Sequence, residues 1–184
     1  MITSTTTAAF LVPERIVRYF DLEAGDHVAD FGAGHGYFTI PMAQLVGGNG
    51  KVYAIDIQKP VLETIKARAK LEHLLNVEAV WADLEKERGS RLKDRFLDFT
   101  VISNILFQAE NKEALFQEAY RILREGGRLA VIEWGPEENS SFGPARDLRI
   151  KKEVVRELAE QAGFNLMKEF EAGIYHYGLL FKKS

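Results

Sequence analysis

Val28-Ala29-Asp30-Phe31-Gly32-Ala33-Gly34-His35-Gly36-Tyr37-Phe38 sets three glycines at alternate positions, directly after a short apolar run and directly before an amphipathic one. The pattern predicts a strand, a tight loop and the start of a helix. Gly32, Gly34 and Gly36 can take positive φ, and without a Cβ they let a ligand approach the main chain. A helix beginning near Tyr37 turns its first free N–H groups, and the positive end of its dipole, into the same space. Asp30 falls at the carboxyl end of the strand, where open α/β sheets bind ligands. The result is a cradle with an acidic floor, suited to a cationic ligand or one bearing an ammonium group. A dinucleotide loop reads Gly-x-Gly-x-x-Gly, whereas here the third glycine comes one place early.

On both sides of this loop, strand and helix patterns alternate. Pro13 opens a helix through residues 14–20, and after the glycine loop a helix runs over 37–46 until Gly47, Gly48 and Gly50 end it. Residues 51–56 form a second strand, 60–74 a charged helix and 77–81 a third strand. The stretch 85–95 is so charged that it reads as a solvated helix or loop. Residues 96–102 are nearly continuous in apolar side chains, as expected of a parallel strand buried on both faces. A helix over 112–123, a turn at 124–127 and a fifth strand over 128–133 follow. Residues 134–150 have loop composition, and a helix covers 151–162. The last two strands, 165–171 and 174–182, are joined so briefly that they must be antiparallel neighbours. The expected fold is α/β, a doubly wound seven-stranded, mostly parallel sheet with an antiparallel C-terminal strand. Residues 1–9, rich in threonine, read as a flexible arm ahead of a single domain over 10–184.

Composition narrows the function. The 184 residues are 46% hydrophobic and 28% charged, which suits one globular domain with a substantial core. A net charge of −3 gives no global field that draws nucleic acid. There is no cysteine, which excludes disulfides, thiolate metal sites and a cysteine nucleophile. No leader pattern and no apolar run near eighteen residues stands in the sequence, so a cytoplasmic location without membrane attachment is expected. No acidic cluster of metal-binding type is seen, and no metal is expected.

The loop Asp-x-Gly-x-Gly-x-Gly resembles motif I of the class I S-adenosylmethionine (SAM)-dependent methyltransferases, and the resemblance extends over nearly the whole chain. It implies the Rossmann-like methyltransferase fold, SAM as cofactor and S-adenosylhomocysteine (SAH) as product. The implied cofactor site comprises Asp30, Gly32, Ala33, Gly34, Gly36, Tyr37 and Phe38 around the methionine end. Asp56 and Ile57 would take the ribose, Asp56 standing twenty residues beyond Gly36. Asp83 would accept from the adenine amino group, flanked by Ala82 and Leu84, and Asn104, Ile105 and Leu106 would run under the sulfonium. Asp56 and Asp83 also suit plain helix caps. Asn-Ile-Leu-Phe at 104–107 departs from the Asn/Asp-Pro-Pro of enzymes that methylate amino groups of bases or glutamine, and this favours a small-molecule acceptor. The loop and the stretch Leu123-Arg124-Glu125-Gly126-Gly127-Arg128-Leu129-Ala130-Val131-Ile132-Glu133-Trp134 look like the quinone-biosynthesis C-methyltransferase branch. That branch has a longer insertion after strand five and a small hydroxyl residue where His35 stands here.

In-line displacement at a sulfonium methyl needs alignment more than acid–base help, and a base matters only for an acceptor that must lose a proton. The catalytic residue is left unassigned, with weak candidates in Glu133 at a strand end facing the crevice, His176 and Tyr175 on the last strand, and His35. Arg146 and Arg149 read as ordinary solvated charge. The acceptor would be specified by residues 10–18, with Phe10 and Leu11 near the ligand or packed on the sheet edge, by 134–150 and by the closing hairpin. Two further readings stay open: a SAM-binding sensor or partner subunit without catalysis, and a nicotinamide-dinucleotide oxidoreductase.

Overall fold

The computed structural model describes residues 11–136 and 143–184. The arm over 1–9, Phe10 and part of the 134–150 loop lie outside the described residues.

The elements follow the expected alternation: α1 (Pro13–Ile16), tightening into a 3₁₀ turn (Val17–Phe20), then β1 (His27–Phe31), α2 (Thr39–Val46), β2 (Lys51–Asp56), α3 (Lys59–Leu71) and β3 (Val77–Trp81). The second half has β4 (Leu97–Ser103), α4 (Lys112–Ile122), β5 (Leu123–Trp134), α5 (Lys152–Gln161), β6 (Phe164–Glu171) and β7 (His176–Lys183). They build a seven-stranded sheet in the order β3-β2-β1-β4-β5-β7-β6. The strands from β1 to β5 pair in parallel, and β7 alone runs against both of its neighbours. The order reverses between β1 and β4, so the crevice for a ligand opens at the carboxyl ends of these two strands.

Side-chain alternation assigns the two faces. Val28, Val52, Phe99, Val101, Ala130 and Ile132 meet α1, α2 and the 3₁₀ turn, with Phe20 stacked on Phe99 at 4.8 Å between centroids. Ala29, Phe31, Ile55, Ile102, Leu129 and Val131 meet α4 and α5. Residues 97–102 of β4 are buried without a break, its buried Asp98 accepting from His27 N at 2.7 Å and pairing with Arg124. Near its start the register shifts between Leu97 and Phe99, and the bulge turns Leu97 and Phe99 to opposite faces.

Two expectations are corrected and one is refined. The turn expected at 124–127 falls inside β5 rather than ahead of it: Leu123 already pairs with Leu97, the next pairing is Arg128 with Phe99, and 124–127 stand out between them with Gly126 at φ 75°. The segment 85–95 is the expected, mostly exposed loop, but it is pinned at Ser90, which is fully buried: the Glu118 carboxylate accepts from its N–H and Oγ while Arg121 binds Glu118, Asp94 and Leu92 O. Tyr175 precedes β7 instead of lying on it.

At the sheet's far end Lys183, 3% exposed, donates from Nζ to Tyr120 O at 2.7 Å and Leu123 O at 2.8 Å, closing the end of α4 against β7. Among the described residues no helix is long and apolar enough to cross a membrane.

Candidate functional site

The loop after β1 is tied to β2 by its backbone. Gly32 and Ala33 donate to Ile55 O at 2.9 and 3.0 Å, and Gly34 donates to Asp56 Oδ2 at 3.0 Å. Asp56 Oδ1 accepts from Gln58 N at 2.8 Å, so this one carboxylate fixes two loops and keeps a lone pair on each oxygen for a ligand. Asp83 is anchored in the same manner, its Oδ1 accepting from Glu85 N at 3.1 Å. Trp81 holds the neighbouring main chain by donating from Nε1 to Ile57 O at 2.8 Å, with Lys59 4.3 Å above its ring.

Asp30 sits below this surface rather than on it. It is 2% exposed, and Thr39 Oγ1 of α2 donates to its Oδ2 at 2.6 Å. Burial pushes its carboxyl up to about 6, opposed by the Thr39 hydrogen bonds and reinforced by the charge of Asp56. Glu133 likewise does not face the crevice. Alternation along β5 puts it on the face of Leu129 and Val131, fully buried, with Oε1 accepting from Ile105 N at 2.8 Å and Leu106 N at 2.7 Å. Burial pushes Glu133 up to about 7 against the pull of those N–H groups and of Lys112.

Two cavities meet at the glycine loop. The first, about 250 Å³, is lined by Gly32, Asp56, Ile57, Ala82, Asp83, Leu84 and Ile105. The second, about 660 Å³, is lined by Ala33, Gly34, His35, Tyr37, Phe38 and Asn104. Asp30, Gly36 and Leu106, placed with the cofactor in the sequence reading, line neither cavity; a Cβ on Gly36 would meet Ile65 at 3.1 Å, so that glycine serves packing on α3. Of the four acid–base candidates, His35 lines one of these two cavities and Glu133, Tyr175 and His176 line neither. Gln58, Glu85, Gln108, Ala109 and Leu115 complete the first cavity, and Leu11, Val12, Pro13, Glu14 and Ser103 the second. Glu14 has a sequence signal in hindsight: with Pro13 it opens the short α1, whose start faces the crevice.

On the β5–β7 side, His176 lies 4.1 Å from Trp134 between ring centroids, and neither of its ring nitrogens has a hydrogen-bond partner among the described residues. Burial, helped by Arg149, pushes it down to about 4. Arg149 is itself 7% exposed, not solvated; it donates to Pro144 O at 3.1 Å and Gly135 O at 3.4 Å, with its guanidinium 5.4 Å from the Trp134 ring centroid. Arg146 is exposed and donates to Pro136 O at 2.8 Å.

These shifts carry a pH dependence. Asp30 and Glu133, raised above their unfolded values of 3.8 and 4.5, contribute stability that is complete only below those values and is lost as pH rises through about 6 and 7. His176, lowered, contributes stability present above pH 6.5 and lost as pH falls toward 4. Asp30→Asn keeps an acceptor for Thr39 and removes the buried charge. Its expected result is a gain of about 2 kcal/mol over the parent at pH 8 that vanishes below pH 4, read from thermal melts across that range.

A doubly wound sheet in this order, with carboxylates at the ends of β1 and β2 and directly after β3, defines the class I methyltransferase architecture. The chain belongs to the methyltransferase-domain family, whose model matches residues 22–172. It is 32% identical over 126 residues to the ubiquinone/menaquinone biosynthesis C-methyltransferase UbiE of Pseudoalteromonas translucida, a match covering 67% of this chain and 48% of that protein. The chain thus spans about half the length of the curated relatives it matches. A crystal structure of a SAM dependent methyltransferase from Aquifex aeolicus superposes with a TM-score of 0.86 at 27% identity, covering 95% of this chain and 91% of that one. The [4+2]-cyclase SpnF shares the fold alone, at 16% identity and a TM-score of 0.78 over 93% of this chain and 79% of its own.

Proposed function

We propose that the protein transfers a methyl group from SAM to a small-molecule acceptor. One observation carries this reading: the nucleoside-sized cavity with Asp56 and Asp83 on its wall stands across the glycine loop from a second and larger cavity. Asp56 accepts from the ribose hydroxyls, Asp83 from the adenine amino group, and Ile57, Ala82, Leu84 and Ile105 give the ring apolar walls. Ala33, Gly34, Tyr37, Phe38 and Asn104 receive the methionine end, with the charge of Asp30 beneath them. Bound SAM supplies an electrophilic methyl and leaves as neutral SAH, so the chain's task is to align an acceptor and exclude water. The second cavity does this with apolar walls from Leu11, Val12, Pro13 and Phe38. His35 on that wall is placed to take a proton from an acceptor that carries one.

The C-methyltransferase relatives point to a flat, quinone-like ring as acceptor, which fits those walls. Calorimetry with SAM and SAH tests the cofactor, and labelled SAM offered to quinols, phenols, amines and RNA tests the acceptor; no binding of either ligand overturns the reading. A second reading, SAM binding without transfer, is favoured by a single fact: three of the four acid–base candidates lie away from the cavities. SAM binding with no acceptor labelled would select it. A nicotinamide dinucleotide in this site would instead show as quenching of tryptophan fluorescence by NADH and not by SAM.

A further inference from the structure

After β4 the chain turns back over the end of β5. Asn104 takes φ 54° and donates to Ile132 O at 2.9 Å, and the next two N–H groups, of Ile105 and Leu106, both donate to Glu133 Oε1. Successive N–H groups converging in this way form an anion-binding nest, here filled by the protein's own carboxylate. Oε2 of the same carboxylate is buried with no hydrogen-bond partner among the described residues, and so is Asn104 Oδ1. An ionised carboxylate half satisfied in the interior is costly. The charged group that acts on it is Lys112 of α4; opposite on β7 stands Tyr177, whose hydroxyl donates to Ile150 O at 2.8 Å.

The segment held by Glu133 is the partition between the cavities: Ile105 faces the first and Asn104 the second. In SAM the sulfur is bonded both to the ribose 5′ carbon and to the amino-acid chain, so a molecule lying across both cavities brings its sulfonium to this partition. We infer that Glu133 is a positioning residue that holds the partition, and that its negative charge behind the backbone favours the sulfonium of SAM over the neutral thioether of SAH. The inference rests on the SAM reading above and adds to it a means of discriminating substrate from spent product.

Because burial places Glu133 near neutrality, its ionised fraction rises from roughly a tenth at pH 6 to nine tenths at pH 8. A ligand that selects the ionised form gains affinity over that interval, and one indifferent to it does not. Asp30 also titrates, but the ammonium it faces is common to both ligands, so its effect cancels in their ratio. Isothermal titration calorimetry with SAM and with SAH at pH 6, 7 and 8, on the wild type and on Glu133→Gln, tests this. The glutamine keeps an oxygen for both N–H groups and lacks the charge. The SAM/SAH affinity ratio is expected to climb about tenfold in the wild type and to stay flat in the variant. A flat wild-type ratio, or an equal slope in the variant, overturns the inference. Should Glu133→Gln fail to fold, proton release measured in buffers of different ionisation enthalpy decides on the wild type alone: the release from Asp30 is common to both ligands, so more protons leave with SAM than with SAH near pH 6.5, and equal release overturns it. Absence of binding by both ligands overturns the SAM reading itself.

Discussion

Asp56→Ala is expected to weaken SAM binding about 100-fold, or roughly 3 kcal/mol. Two losses add. The ribose hydroxyls lose a charged acceptor, and Gly34 N and Gln58 N lose the carboxylate that holds their loops at 3.0 and 2.8 Å. The second loss is structural, so Asp56→Asn, which retains one acceptor oxygen, should fall between alanine and the parent. Glu133→Ala should weaken SAM binding by less, about tenfold, because it loosens the partition without removing a direct contact. Calorimetry on the three variants ranks them. The opposite order for Asp56 and Glu133 would mean that the partition and the charge behind it govern SAM binding more than the carboxylate on the wall of the first cavity.

The second large effect separates two glycines in the same loop. At Gly32, φ is 68° and an added Cβ would stand 2.4 Å from Ile105 Cγ2. Gly32→Ala therefore combines left-handed strain with overpacking and is expected to cost about 3 kcal/mol of stability. Gly34 has φ 50°, but the nearest atom to an added Cβ is Gly32 O at 3.9 Å. Among the described residues no other atom lies within 4 Å of that position. Gly34→Ala should cost only about 1 kcal/mol in strain and instead project a methyl group into the second cavity, lowering SAM affinity far more than melting temperature. Melting curves and titrations on both variants check this. Unchanged SAM affinity in Gly34→Ala would mean that the loop is a packing turn and not a cradle.

The ends of β1, β2 and β3 were legible because each strand closes on or just before an acid that precedes a turn or helix signal; the first cavity gathers Asp56 and Asp83, whereas Asp30 is buried beneath the loop. The direction of Glu133 was not. Both faces of β5 are apolar, so alternation tells that Glu133 shares a face with Val131 but not which face the crevice borders. Arg149 and Ser90 misled for a related reason. A charged or hydroxylated residue in a polar stretch looks solvated until its acceptors, Pro144 O and Gly135 O for one and Glu118 for the other, arrive from distant chain. The second cavity was legible in part: residues 11–14, within the stretch expected to specify the acceptor, do line it, but Ser103 carries no chemical signature and gains its role only from its place at the end of β4.

That sheet order also bears on how the protein is made. β7 lies between β5 and β6, although it is the last strand in the sequence. On the ribosome, β6 emerges with no partner to pair with, since its neighbour is still to be synthesised. The parallel half of the sheet, with both cavities and the partition between them, can assemble first, but β5 waits with one edge open until residue 183 is made and Lys183 reaches the carbonyls at the end of α4. An apolar edge left open for that interval is the segment from which nascent chains would associate wrongly.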